Sequence, residues 1–202
     1  MTFLSVKAIL AQMQTRALPD LNYLRECFEL DPTSPSYLKW NPNRPRCHFK
    51  NLQAFESWKT QFANKHISNL TSDKNYYYLH IQLPDGTSYN LKSHRIVYAL
   101  YYNTVDFDGK DIDHINRNGK DNSPQNLRLA TRHQNQLNRS KQKNNKIGHK
   151  NIRYHHTCKK FTVQIGYKGK AIYFGSYSTL EEAIQVRDAK LKELAGEFFR
   201  TT

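Results

Sequence analysis

The sequence predicts an α+β protein. A helical N-terminal region with a short strand leads into a β-hairpin. A strand–loop–strand–helix unit follows, then a three-stranded antiparallel sheet packed on one helix. Three observations carry this. From Tyr76 the apolar pattern changes to two-residue alternation and turns at Pro84-Asp85-Gly86. Residues 113–135 run as two β-prone segments separated by a polar loop, with a helix start behind them. Three short strands, NIRYHH, KFTVQIGYKGK and AIYFGSY, precede a final amphipathic helix. The expected organisation is a helical region at 1–70, a second domain at 71–138, a basic linker at 139–148 and a sheet-plus-helix domain at 149–202.

Val6, Ile9, Leu10 and Met13 follow helical spacing, so residues 3–16 are expected to be an amphipathic helix. Pro19 can start a second helix with Leu21, Leu24 and Phe28 on one face, ended by Asp31-Pro32 and Pro35. SYLKW is a short strand, and residues 41–51 form a Pro- and Arg-rich loop. Phe55, Trp58 and Phe62 mark a third helix whose aromatic stripe is read as core, not as a base-stacking surface. Tyr77, Leu79, Ile81 and Leu83 share one strand face, and TSYNL returns as the partner. Ser93 caps the next helix, whose buried side is Ile96, Val97, Leu100 and Tyr101; His94 at its start is read as a structural hydrogen-bonding residue, with a phosphate contact as the rival.

The central stretch is DHINRNGKDNSPQNLRLATRHQN. Asn118-Gly119 is a turn signal, and Asn116, Asp121, Asn122 and Ser123 can hydrogen-bond their own backbone. Thr131 with Gln134 three residues on makes a capping-box pattern for a helix start. Such a unit can hold one divalent metal through Asp113 on the strand and Asn135 on the helix, with water and a substrate phosphate completing the shell, which suits magnesium. His114 titrates near neutral pH and could take a proton from an attacking water. Neighbours on a regular strand point to opposite faces, so the strand must end or bulge there for Asp113 and His114 to serve one site.

Asp113-His114, Asn126 twelve positions on and Asn135 nine further resemble the HNH endonuclease motif of the ββα-metal fold, closest to the homing branch of phages and mobile introns. The resemblance implies His114 as general base, Asp113 and Asn135 as metal ligands, and Asn126 as the residue that ties the loop and aims the histidine. The founding pattern has His at the last position, whereas the homing branch commonly has Asn. His133 is the rival ligand; two residues apart is about 200° around a helix, so only one of the pair can face the hairpin. The likeness extends from about residue 24 to residue 139 through FELDP, YLKW and SHRIVYALYYN.

The net charge of +14 and a pI near 9.7 call for a polyanionic partner. No Asp or Glu stands between Asn122 and Leu180, and that interval carries Arg128, Arg132, Arg139, Lys141, Lys143, Lys146, Lys150, Arg153, Lys159, Lys160, Lys168 and Lys170. So long an acid-free stretch fits phosphate neutralisation. Cys27, Cys47 and Cys158 are far apart with no CxxC pair, which indicates neither a zinc knuckle nor a disulfide framework and fits a reducing, cytoplasmic setting. No apolar run approaches the ~20 residues that span a bilayer, so no membrane partner is expected. Lys7, Gln12 and Gln14 make the N-terminus a poor signal peptide.

Residues 139–148 have no apolar periodicity and are expected to be a basic linker. In the last segment Phe161, Val163, Ile165, Ile172, Phe174 and Ile152 are assigned beneath a helix whose inward residues are Ala183, Val186, Leu191 and Leu194, with Gly196 past its end. Alternation then places Arg153, His155, Lys160, Thr162, Gln164 and Tyr173 on the open face, which can be pressed into a major groove. NIR, KKFTVQI and GKAIYFGSYSTLEEAIQVRDAK resemble the ethylene-response-factor (AP2/ERF-type) DNA-binding domain of plants, which also stands behind HNH nucleases in phages. The usual first-hairpin Trp is missing, with Thr157-Cys158 near its place, and Tyr173 stands where plant members often have Trp.

Together these resemblances imply a site-specific DNA endonuclease, a phage-type protein acting in the host cytoplasm. It would hydrolyse phosphodiester bonds of double-stranded DNA with one Mg²⁺ (Mn²⁺ substituting) and His114 as base. The expected DNA contacts are Arg128, Arg132, Arg139, Lys141, Lys143, Arg153, His155, Lys160, Thr162, Gln164, Lys170 and Tyr173. No small-molecule substrate is implied. A monomer with a single unit would nick one strand, and a dimer could cut both. The alternative is a non-catalytic DNA-binding regulator with a silent HNH fold. An RNA-directed protein is disfavoured, since no aromatic-interleaved platform of the RRM kind is present.

Overall fold

The computed structural model describes residues 17–83, 85–138, 145 and 147–198, so the helix expected at 3–16 and the linker positions Arg139, Lys141 and Lys143 lie outside the described residues. The fold is mixed α+β, with five α-helices and four small sheets among those residues. They fall into two compact units, the first ending at Leu129 and the second beginning at Ala130.

In the first unit α1 (Leu21–Cys27) is capped by Asp20, whose carboxylate accepts the N–H groups of Asn22 and Tyr23 at 3.0 and 3.1 Å. The helix stops before Phe28, one residue short of the face expected for it. Phe28 turns extended and opens β1 (Phe28–Leu30), which pairs antiparallel with β2 (Leu38–Trp40) in the register Phe28↔Trp40. Burial of both rings, 4.9 Å apart, outweighs one more helical residue. α2 (Leu52–Phe62) starts at Asn51, whose side chain accepts the Ala54 N–H at 2.8 Å. Of its aromatic stripe only Trp58 is buried, whereas Phe62 is 42% exposed.

β3 (Tyr78–Gln82) and β4 (Ser88–Lys92) form the expected hairpin, with Leu79, Ile81 and Leu91 buried and Tyr78, His80 and Gln82 outside. α3 (Ser93–Tyr102) follows without a loop. Lys92 therefore occupies the cap position, and Ser93 is a buried first-turn residue instead of the cap. The helix buries His94, Ile96, Val97, Tyr98 and Ala99, while Tyr101, expected inside, is half exposed. β5 (Asp111–His114) and β6 (Leu127–Ala130) make a separate two-stranded sheet, and Ile112 and Leu127 join the apolar cluster of Ile96 and Val97.

In the second unit α4 (Arg132–Asn138) begins with the reciprocal Thr131–Gln134 box: the Gln134 N–H donates to Thr131 Oγ1 at 3.2 Å and the Thr131 N–H to Gln134 Oε1 at 2.8 Å. Lys150 Nζ donates to the carbonyls of Gln136 and Leu137 at 2.8 and 3.1 Å, a cation on the helix C-terminus. The Asn145 side chain accepts the N–H groups of Ile147 and Gly148. β7 (Ile152–His155), β8 (Lys160–Tyr167) and β9 (Lys170–Tyr177) form the antiparallel sheet under α5 (Leu180–Ala195). Val163, Ile165, Ala183 and Leu191 fill its core. Arg187, not Val186, is the deeply buried residue of that helix turn. β8 and β9 slip by one between Thr162 and Gln164, so Phe174 and Gly175 both oppose Val163, and Gly175 takes φ +116. Sequence alternation had no means of finding that bulge.

Candidate active site

β5 ends at His114, and the Arg117 N–H closes a turn onto the His114 carbonyl at 2.9 Å with Arg117 at φ 64. The strand thus stops where the two neighbouring side chains need different surroundings. Asp113 meets the Nε of Arg128 at 3.0 Å across the sheet. His114 meets Asn122, His94 and Tyr76. All three residues, Asp113, His114 and Asn122, are buried.

The polar residues between β5 and β6 fold as a series of side-chain-closed turns. Asn116 Oδ1 accepts the Asn118 N–H at 2.8 Å, Asn118 Oδ1 accepts the Lys120 N–H at 3.1 Å, and Asp121 accepts both the Ser123 N–H and hydroxyl. The Ser123 hydroxyl, first, holds the Asp121 carboxyl below the usual carboxylate range. Asn126 joins the two ends: its Oδ1 accepts the Asn116 N–H at 2.9 Å, its Nδ2 donates to the Asp121 carbonyl at 2.7 Å, and its own carbonyl accepts the Ile115 N–H at 2.8 Å. Gly119 lies so close to the preceding segment that a Cβ there would stand 2.7 Å from the Tyr76 ring.

His114 Nε2 lies 3.0 Å from Asn122 Oδ1, and Asn122 Nδ2 donates to the Ser36 carbonyl at 3.0 Å. His94 packs edge-on against His114 with ring centroids 4.9 Å apart, and Tyr76 sits 5.5 and 5.9 Å from the two imidazoles. Burial lowers the His114 pKa below its ordinary value, against the opposing pull of Asn122 and Asp113. It lowers that of His94 much further, reinforced by His114, Lys92 and Arg95. Burial thus favours the neutral form of both rings, the form a general base requires. Among the described residues His94 Nδ1 has no hydrogen-bond partner, and the ring packs against His114 and Tyr76.

The second unit carries Asn135, half-buried on α4. On the same helix the His133 ring stacks edge-on upon Tyr167 at 4.7 Å, and its Nδ1 accepts the Lys168 N–H at 3.4 Å. Arg153, His155, Lys160, Gln164, Lys170 and Tyr173 are exposed, with Tyr173 at 59%. Thr162 is half-buried; its hydroxyl contacts Ser176 Oγ at 3.0 Å, and Ser176 also contacts the Tyr173 hydroxyl at 3.0 Å. Arg132 is exposed, whereas Arg128 is held by Asp113.

Among the described residues no group of three or more His, Cys, Asp and Glu is arranged to hold a metal. The donor set nevertheless fits a hard divalent ion with few protein ligands. Asp113 is a buried carboxylate already answered by a cation, since the Arg128 guanidinium stands at 3.0 Å. A thiol nucleophile does not fit: Cys27 lies 3.6 Å from His48 Nδ1, but burial pushes it up to about 11. Sequence reasoning missed Asn122 and Ser36 as site residues. The sequence around Asn122 marks it as a turn former, and nothing local to Ser36 shows that its carbonyl faces residue 122.

No curated protein and no solved structure matches the chain. No described helix is long and apolar enough to cross a membrane. Residues 92–137 match the family described as HNH endonuclease, so the segment from Lys92 to Leu137, holding His94, Asp113, His114, Asn122, Asn126 and Asn135, is an HNH domain and supports a nuclease.

Proposed function

We propose that the protein is a site-specific, homing-type DNA endonuclease that hydrolyses phosphodiester bonds in duplex DNA, with His114 as general base. The observation that carries this reading is the buried His114 within the matched HNH segment, its Nε2 3.0 Å from Asn122 Oδ1 and its place in the chain next to the Asp113 carboxylate. His114 takes the proton of the attacking water. Asn126 holds the loop closed so that the imidazole stays aimed. Asp113 and, by its place in the motif, Asn135 would hold one Mg²⁺ or Mn²⁺. When bound, such an ion supplies charge stabilisation at the phosphate. The Arg128 guanidinium, 3.0 Å from the Asp113 carboxylate, balances its charge.

The three-stranded sheet is the proposed duplex-binding element, of ethylene-response-factor type. Its open face carries Arg153, His155, Lys160, Gln164 and Tyr173 with no acidic residue between Asn122 and Leu180. A monomer acting in a phage-infected cytoplasm and nicking one strand completes the reading.

The Arg128–Asp113 pair favours one second reading, a silent HNH fold that binds DNA without cutting, in which that arginine never yields. Supercoiled plasmid incubated with magnesium, with and without EDTA, separates the two. Cleavage that EDTA abolishes and His114→Ala lowers by ~10²–10⁴-fold supports the nuclease. Binding without cleavage, or full cleavage by His114→Ala, overturns the proposed mechanism.

A further inference from the structure

The hydrogen-bond chain behind His114 fixes more than its place. The Ser36 carbonyl oxygen can only accept, so the Asn122 amide nitrogen must face it, at 3.0 Å. Asn122 Oδ1 is thereby turned to His114, and an amide oxygen also only accepts. The proton between them therefore belongs to His114 Nε2. In a neutral imidazole the lone pair then resides on Nδ1.

The anchor is rigid. Ser36 is fully buried in the loop joining β1 to β2. That loop is closed by the Asp31 N–H on the Tyr37 carbonyl at 3.1 Å and the Tyr37 N–H on the Ser34 carbonyl at 3.0 Å. The Ser34 hydroxyl donates to the Leu38 carbonyl at 2.6 Å, and Tyr37 holds φ 65. Asn122 itself is 2% exposed, so water does not compete for its amide. His94 at 4.9 Å and 78° and Tyr76 at 5.9 Å flank the imidazole and oppose its rotation.

We propose that Asn122, anchored on the Ser36 carbonyl, is a positioning residue that holds His114 in its Nε2–H form and so makes Nδ1 the nitrogen that receives the proton. The inference rests on the reading of His114 as general base. In the step it serves, a water O–H bond breaks and its proton goes to Nδ1 while the water oxygen bonds to phosphorus. The bond from phosphorus to the leaving sugar oxygen breaks, and that oxygen takes a proton from solvent. His114 then releases its own proton to solvent.

The tautomer is measurable without any cleavage, from the ¹⁵N shifts of His114 in the full chain at a pH where its ring is neutral. The expected result is a proton on Nε2; a proton on Nδ1 overturns the proposal and needs no variant that could fail to fold. Asn122→Leu should mix or invert the tautomer and lower kcat by about a hundredfold, the scale of a misaligned general base, with KM for DNA unchanged. An unaltered tautomer, or an altered one with unaltered kcat, overturns it. His114→Ala is the control: full cleavage there removes the general-base reading itself, whereas its loss beside an indifferent Asn122→Leu removes only the role of Asn122.

Discussion

Arg128 Nε donates to Asp113 Oδ2 at 3.0 Å, with the two side chains 15% and 6% exposed. This places a guanidinium on the carboxylate that the motif assigns to a metal. A buried carboxylate that loses its cation is destabilising, on the order of 3 kcal/mol. Arg128→Gln should therefore lower the unfolding free energy obtained from urea titration by that amount. Added magnesium or manganese should restore stability in the variant more than in the wild type. Equal stability without metal would sink the assignment of the pair as a charge balance.

Gly119 is required for space. A Cβ there would lie 2.7 Å from one Tyr76 ring atom and 2.9 Å from another, and closer still to the Asn75 carbonyl oxygen. Gly119→Ala should cost about 2 kcal/mol, the scale of forced overpacking. Cleavage should fall with it, because Tyr76 also abuts His94 and His114. A thermal melt identical to wild type would show that the loop yields freely.

His48, His94 and His114 all have folded-state pKa values below 6.5, burial being the first cause in each. As pH falls, the unfolded chain binds protons at these positions before the folded one does. Their contribution is thus full above the unfolded value of 6.5 and lost as pH drops below it. Urea midpoints should decline between roughly pH 7.5 and pH 5.5, and less steeply in His94→Gln. A variant as steep as wild type would show that His94 carries none of the linkage.

Arg153 is exposed on the open face of the three-stranded sheet, in register with Thr162. Arg153→Ala should weaken DNA binding and make the dependence of log K on log salt shallower by ~1, as expected for one lost phosphate contact. Single-turnover cleavage at saturating protein should stay near wild type. An unchanged salt slope would mean that this face does not meet DNA.

Local pattern was enough where a residue's environment is made by its own neighbours in sequence. The alternation of Leu79 and Ile81, the Thr131–Gln134 box, the Asx turns from Asn116 to Ser123 and the outward Arg153 and Tyr173 follow from periods of two and from side chains reaching two or three residues along. Where a partner lies far along the chain, sequence was silent. It placed Phe28 on a helix that pairing with Trp40 turned into a strand, and it placed Tyr101 inside, where His94 and Tyr98 are instead. Nor does any local pattern mark the ion pair that Arg128, a DNA-contact candidate, makes with Asp113.

The sequence by itself determined that a carboxylate, an imidazole and an asparagine loop clamp share one β-hairpin, because their spacing is written in one continuous stretch. Only the tertiary structure decided which nitrogen of His114 carries its proton. That depends on a carbonyl 86 residues away from Asn122, brought there by packing of the β1–β2 loop. A hydrogen bond across such a separation leaves no period in the sequence to read.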